Sequence, residues 1–164
     1  MKHILSVLVE NHAGVLLRIV GLFSRRGFNI HSLAVGVTDD PGVSRVTIVV
    51  TGDEATIEQV VKQLNKLVDV IKVKELKKNT CVRRELMLLK IRCNSKNRGE
   101  IVQIVNIFRA NIIDVSPETL TIEVTGTEDK IDAFLGMLES FGIVEVVRGG
   151  MLSLERGNLG IKNQ

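Results

Sequence analysis

The apolar positions of this chain follow two alternating periods, and the alternation itself repeats. Ile4–Val9 is a short, continuously apolar run rich in branched residues and reads as a buried strand. From Leu16 the period lengthens, so that Leu16, Ile19, Val20 and Phe23 share one helical face. Phe28–Val37 reads as a second strand, Thr38 to Gly42 as a turn with its Pro and Gly, and Ser44–Thr51 as a third strand. After Gly52 and Asp53, the positions Ile57, Val60, Val61, Leu64 and Leu67 recur at helical spacing, and Val68–Leu76 reads as a fourth strand. The order βαββαβ predicts an antiparallel sheet with both helices on one face, the split arrangement of ferredoxin-like folds.

The second half runs through the same order. Glu85–Cys93 reads as a strand, and Gly99 opens a helix whose Ile101, Ile104, Val105 and Phe108 mirror Leu16, Ile19, Val20 and Phe23. Asn111–Ser116 and Leu120–Gly126 are strands around a tight turn at Pro117-Glu118. Glu128–Phe141 is a helix with Ile131, Phe134, Leu135 and Leu138 inward, and Ile143–Val147 closes the pattern. The expectation is an α+β chain of two ferredoxin-like βαββαβ modules in tandem: residues 1–76, a linker over 77–84, and residues 85–164. The tail after Arg156 is expected to fray. Ile4–Val9 is apolar on both faces, whereas a sheet with one solvated face alternates. A second copy or a partner protein is therefore expected to cover its open side.

Composition narrows the function. With 45% apolar residues over 164, there is enough to bury a core. No apolar run nears the roughly 18 residues of a membrane span, and no basic-then-apolar leader opens the chain, so the expectation is a cytoplasmic protein without a membrane partner. Cys81 and Cys93 do not form a C-x-x-C pair and read as free thiols, with a disulfide between them as the alternative. The net charge of +3 comes from 22 basic and 19 acidic residues and gathers between Lys72 and Arg84. Trp and Tyr are absent, so no stacking platform accompanies that charge, which reads as a solvated linker rather than a nucleic-acid surface. His3, His12 and His31 lack metal-ligand spacing, and no metal site is expected.

The chemistry concentrates at the junction of first strand and first helix. Asn11 suits an N-cap, its side-chain oxygen accepting from a free N–H of the first turn. Gly14 falls in that turn, where a missing side chain opens the amides, and the helix dipole favours a carboxylate or phosphate there. Turn geometry alone also explains an Asn and a Gly at such a junction. The second module has Ser95 to Gly99 at the matching place, with Lys96 and Arg98 beside it. Only the first is flanked by small neutral residues, Ala13 and Gly14, that leave room for an apolar ligand.

The stretch Asn11-H-A-G-V-L-L-R-I-V-G-L-F-S-R-R-G-F-N-I-H-S-Leu33, with Ser44-R-V-T-Ile48 and Gln63-L-N-K-L-V-D-Val70, resembles the ACT domain of the regulatory small subunits of acetolactate (acetohydroxyacid) synthase. The second half continues the likeness through Arg84-E-L-M-L-L-Lys90, Asp114-V-Ser116, Thr121-I-E-V-T-Gly126 and Arg156-Gly157, so that it covers nearly the whole chain. The resemblance implies a non-catalytic subunit that binds a catalytic large subunit holding thiamine diphosphate, Mg²⁺ and FAD, raises its activity, and makes it sensitive to valine or another branched-chain amino acid. It implies no cofactor in this chain, and pairing of two ACT domains side by side with the amino acid between them. On that reading, the amides of Ala13, Gly14, Val15 and Leu16 hold the carboxylate. Asn11, or Asn29 of a second copy, accepts from the ammonium, and Ile30 with Leu16 or Val35 forms the apolar wall, with His12 flanking the pocket. Burying two or three methyl-sized groups contributes about 1–2 kcal/mol. Asn29 and Ile30 equally suit a turn residue and ordinary strand core.

Other functions fit less well. A stand-alone ACT sensor acting on a different enzyme or a transcription factor is the alternative. An enzyme would need a catalytic constellation, and the sequence has no triad order, P-loop, H-E-x-x-H, or G-x-G-x-x-G after a strand.

Overall fold

β1 (Lys2–Glu10) lies inside a four-stranded antiparallel sheet ordered β2-β3-β1-β4. Its partners are β3 (Val43–Thr51) and β4 (Val70–Leu76), and β2 (Ile30–Val37) forms the outer edge beyond β3. Helices α1 (Val15–Arg26) and α2 (Glu54–Leu64) bury Val15, Ile19, Leu22, Phe23, Ile57, Val60 and Leu64 against Leu5, Val7, Val46, Ile48 and Val50. This is the ferredoxin-like order the periodicities predict. The computed structural model describes residues 1–158 and 160–163.

The inward face of α1 is offset by one position from the expected one. Leu16 is 41% exposed, and Val15 and Leu22 take the buried places on either side of Ile19 and Phe23. The helix stops at Gly27, whose φ of +69° carries the chain into the left-handed region while its N–H donates to Phe23 O and Ser24 O. Arg25 and Arg26 occupy the last turn, where the dipole favours cations. Asp53 caps α2 by accepting from Thr56 N at 2.8 Å.

The chain divides into two compact units, and the division differs from the expected one. The first comprises Met1–Val82 together with the segment that starts at Gly150; the second is Arg83–Gly149. Within residues 77–84, positions 77–80 are exposed and the chain then enters a strand. Thr80 N donates to Lys77 O in a tight turn, and β5 (Cys81–Arg92) begins at once with Cys81 buried. The residues after Gly149 leave the second unit and belong to the first, and β9 (Leu152–Glu155) pairs with β5, whose first residues Cys81 and Val82 are also part of the first unit. There Ser153 Oγ donates to Val82 O, Arg156 N to Thr80 O, and Met151 N to Ser32 Oγ.

That return segment accounts for the doubly apolar first strand. Ile4, Val49 and Leu76, on the face away from the helices, form a second small core with Cys81 and Met151. The chain itself, rather than a second copy or a partner, supplies that cover. The tail also differs from a frayed end. A 3₁₀ turn runs over Ile161–Asn163, and Lys162 Nζ meets Asp39 Oδ1 at 2.8 Å; Leu159 and Gln164 lie outside the described residues.

The second unit repeats the order as β6-β7-β5-β8, with α3 (Arg98–Ile107), β6 (Asn111–Val115), β7 (Thr119–Gly126), α4 (Glu128–Leu138) and β8 (Ile143–Arg148). Phe134, Ile101, Ile131, Leu89 and Ile122 form its core, and Phe108 stacks at a tilt on Phe134, 5.2 Å between centroids. Arg148 ties Glu85 to Asp132 at 2.8 and 2.7 Å, and its pKa rises because the charged form is held by Glu85 first and then Asp132. Cys81 and Cys93 are both free and buried. Among the described residues, no helix is long and apolar enough to cross a membrane.

Candidate functional site

The turn between β1 and α1 is pinned from two sides, and neither bond is a helix cap. Asn11 was the expected N-cap; instead its Nδ2 donates to Pro41 O at 2.9 Å and its backbone N–H to Gly42 O at 2.8 Å. Both acceptors sit at the tip of the β2–β3 hairpin, which Asp40 closes through Gly42 N and Val43 N. The N-cap is Gly14, at φ +90° and with no side-chain hydrogen bond over the first turn. A left-handed N-cap is costly for any residue with a Cβ, so the local geometry selects glycine here. Arg18 N is the first amide to bond back, to Gly14 O at 3.0 Å. The earlier amides of the turn have no intrahelical acceptor and carry the positive end of the dipole.

On the other side stands Asp69, just before β4. It is buried to 8% exposure; its carbonyl accepts from Glu10 N, and its carboxylate is held by Arg18 and by His12 Nε2 at 3.0 Å. His12 Nε2 also faces Glu10 Oε2, and Nδ1 faces Ala13 O, both at 3.2 Å. Both ring nitrogens thus point at acceptors, an arrangement only the imidazolium can satisfy as a donor on each side. Its pKa is raised accordingly, first by the Ala13 carbonyl and then by Glu10 and Asp69. Glu10, His12 and Asp69 bring three ligand-type atoms together, and the Arg18 cation already occupies the same carboxylate.

The predicted site residues separate into two groups. Asn11, His12, Ala13, Gly14 and Leu16 cluster, exposed, around the helix mouth. Val15 contributes only its backbone there, since its side chain is buried in the core. Asn29 and Ile30 lie at the other end of the same sheet. Ile30 pairs with Val50 and Val50 with His3, whereas Glu10 pairs with Val43. The separation along β1 from His3 to Glu10 is about 23 Å at roughly 3.3 Å per residue. Ile30 packs partly into the core, Asn29 is exposed, and Val35 is 48% exposed on the outer strand. One chain does not bring these two groups together.

The matching corner of the second unit is filled. Arg98 Nη2 donates to Pro117 O at 2.9 Å and Ser116 O at 3.2 Å, laying the guanidinium over the β6–β7 turn. Asn94 Oδ1 accepts from Lys96 N and Asn97 N, so the amides before α3 already have acceptors. Asp69 and Arg18 were not foreseen as parts of the first corner. The available signal was a lone acid in the apolar run from Leu67 to Ile71, but its partner lies on a helix far away in sequence.

Comparison with known proteins places nearly the whole chain in one family. Residues 5–72 match the family described as AHAS small subunit-like ACT domain, and residues 84–157 match the small subunit of acetolactate synthase. The chain is similar to a probable acetolactate synthase small subunit of Archaeoglobus fulgidus, 53% identical over 158 residues, which covers 96% of this chain and 99% of that one. It is 54% identical over 159 residues to the acetolactate synthase small subunit of Mycobacterium bovis, with 97% and 95% covered. The crystal structure of the acetolactate synthase small subunit from Thermotoga maritima superposes with a TM-score of 0.91 at 43% identity, over 97% of this chain and 99% of that one.

Proposed function

The chain belongs to the acetolactate synthase small-subunit family, and on that premise we propose that it activates a catalytic large subunit and subjects it to feedback inhibition by valine. Catalysis, with thiamine diphosphate, Mg²⁺ and FAD, resides in that partner, in keeping with a cytoplasmic biosynthetic assembly. The observation that carries the effector reading is the open helix mouth at Gly14, held in place by Asn11 and by the His12–Asp69–Arg18 cluster yet uncapped by any side chain. An amino-acid carboxylate there completes the free amides and the dipole together. Leu16, exposed beside them, offers an apolar contact.

The other half of the pocket comes from a second copy. β2 is an outer strand with Val35 and Val37 exposed, so it can pair with another β2. A two-fold axis through antiparallel β2 strands sets the start of one beside the end of the other. Asn29 and Ile30 of the partner then approach the end of the sheet that carries Asn11–Leu16. Effector affinity is thereby linked to the ACT–ACT arrangement, and a coupling of about 1–3 kcal/mol changes the partner enzyme's activity several-fold or more.

Reconstitution with the catalytic large subunit tests this reading. Addition of the chain raises acetolactate production, and L-valine then lowers it in the wild type but not in Gly14→Asp. Production that ignores both the chain and L-valine overturns it and favours a sensor that serves another protein.

A further inference from the structure

The face of the first unit's sheet that carries no helix holds three cavities, of about 430, 250 and 80 Å³, and Arg45 lines all of them. Arg45 stands on β3, level with Leu8 of β1 and Gly36 of β2. Its Nη2 donates to Ser153 O at 2.8 Å, while its Nε is buried without a hydrogen-bond partner. The two carboxylates in the cavity walls are already taken, Asp39 by Lys162 and Glu155 by Lys74. Among the described residues, no carboxylate pairs with Arg45. Burial pulls its pKa down, but a guanidinium remains charged at neutral pH. Among the described residues, this half-buried positive charge therefore has no counter-charge, in a setting where a bidentate anion gains more than in open water.

The surroundings narrow the class of anion. Leu8, Val37 and Ile161 flank Arg45 in the largest cavity, and Leu152 and Leu154 in the next. Such walls suit an alkyl chain and give a fully hydrated phosphate little to bind. An ammonium group would have to displace Lys162 from Asp39 or Lys74 from Glu155. The volume of the largest of these three cavities falls within the range of small-molecule sites, about 300–1,000 Å³. None of its lining residues belongs to the helix-mouth corner.

We propose that this groove is a second ligand site, in which Arg45 holds the carboxylate of a small monocarboxylic acid that has an apolar chain and no amino group. The site is separate from the effector corner and acts on the same unit from the opposite face of the sheet.

Titration of the full chain with 3-methylbutanoate, followed by calorimetry and by amide chemical shifts, tests this. Inorganic phosphate and L-valine are titrated in parallel. Saturable 3-methylbutanoate binding is expected, with shifts centred on Arg45, Val37 and Ile161. Arg45→Gln weakens it by about tenfold or more, as loss of a charge-assisted bond does. Ile161→Trp, which fills the cavity without touching the core, abolishes it, and the L-valine response stays unchanged in both variants. The proposal is overturned if 3-methylbutanoate does not saturate, if both variants bind it as the wild type does, or if phosphate binds as tightly. It is also overturned if Arg45→Gln alters the L-valine response in the same proportion. A chain that binds 3-methylbutanoate as expected but ignores L-valine would refute the effector reading and leave this one standing.

Discussion

Arg18, in the first turns of α1, closes an ion pair with Asp69 across 51 positions of sequence, and that pair fastens the helix mouth to the start of β4. The two ends differ in exposure: the Arg18 side chain is 52% exposed and that of Asp69 only 8%. Asp69→Asn keeps the shape and removes the charge. Half of the interaction faces water and is screened, so the expected loss is about 1–2 kcal/mol rather than the full worth of a buried charged bond. Urea unfolding checks this: the midpoint falls while the slope against denaturant is unchanged.

The same cluster makes stability depend on pH through His12. Its folded pKa lies above the ordinary value of 6.5, chiefly through the Ala13 carbonyl and then through Glu10 and Asp69. A raised pKa means that the folded state binds the proton more tightly than the unfolded chain does. The stabilisation is fully present below about pH 6.5 and is lost as the pH rises through the folded value. Thermal unfolding between about pH 6 and pH 8 is expected to fall more steeply for the wild type than for His12→Gln. Asp69→Asn is expected to lower the His12 titration midpoint seen by NMR.

Gly14 is first of all a conformational requirement. At φ +90°, an alanine is strained whatever space surrounds it, and a Cβ would meet only the end of Arg18 at 3.7 Å. Gly14→Ala is expected to cost about 1–2 kcal/mol by backbone strain alone. Differential scanning calorimetry of the isolated chain, set beside Ala13→Gly as a neutral neighbour, measures it.

The segment from Gly150 covers the part of the first sheet's helix-free face that holds Ile4, Val49 and Leu76. Met151 is 5% exposed and Cys81 4%, and a Cβ on Gly150 would run into the Leu33 carbonyl. A chain ending at Gly149 is expected to lose a few kcal/mol of stability and to expose Cys81 to a thiol reagent while Cys93 stays protected. Equal protection of both thiols in the shortened chain would contradict this role.

Much of the fold was legible because periodicity reports burial directly. Ile4–Val9 read as a strand and Ile57–Leu64 as a helix face for the same reason that they pack where they do. The doubly apolar first strand was also a true signal of cover, but what supplies that cover is Met151, nearly the whole chain away, and no local pattern carries such a contact. The corner was legible only in part. Asn and Gly at a strand–helix junction marked its place, yet Asn11 serves the hairpin and Gly14 the cap, because the hairpin tip offers Asn11 a carbonyl that a sequence does not display. Asp69 stayed hidden for a similar reason, since its partner Arg18 looked like any solvated charge on a helix.

The central claim is that the effector pocket is shared between two copies, with Asn11–Leu16 from one and Asn29 and Ile30 from the other. The most direct measurement is the L-valine stoichiometry of a mixture of two defective variants, Gly14→Asp and Asn29→Arg, refolded together. Each variant alone loses both sites of its homodimer. In a mixed dimer one site carries both substitutions and the other carries none. The account predicts that the mixture regains roughly a quarter of the wild-type sites, since about half of the dimers are mixed and each holds one intact pocket. A mixture that binds no more L-valine than the separate variants would contradict a shared pocket and confine the site to a single chain.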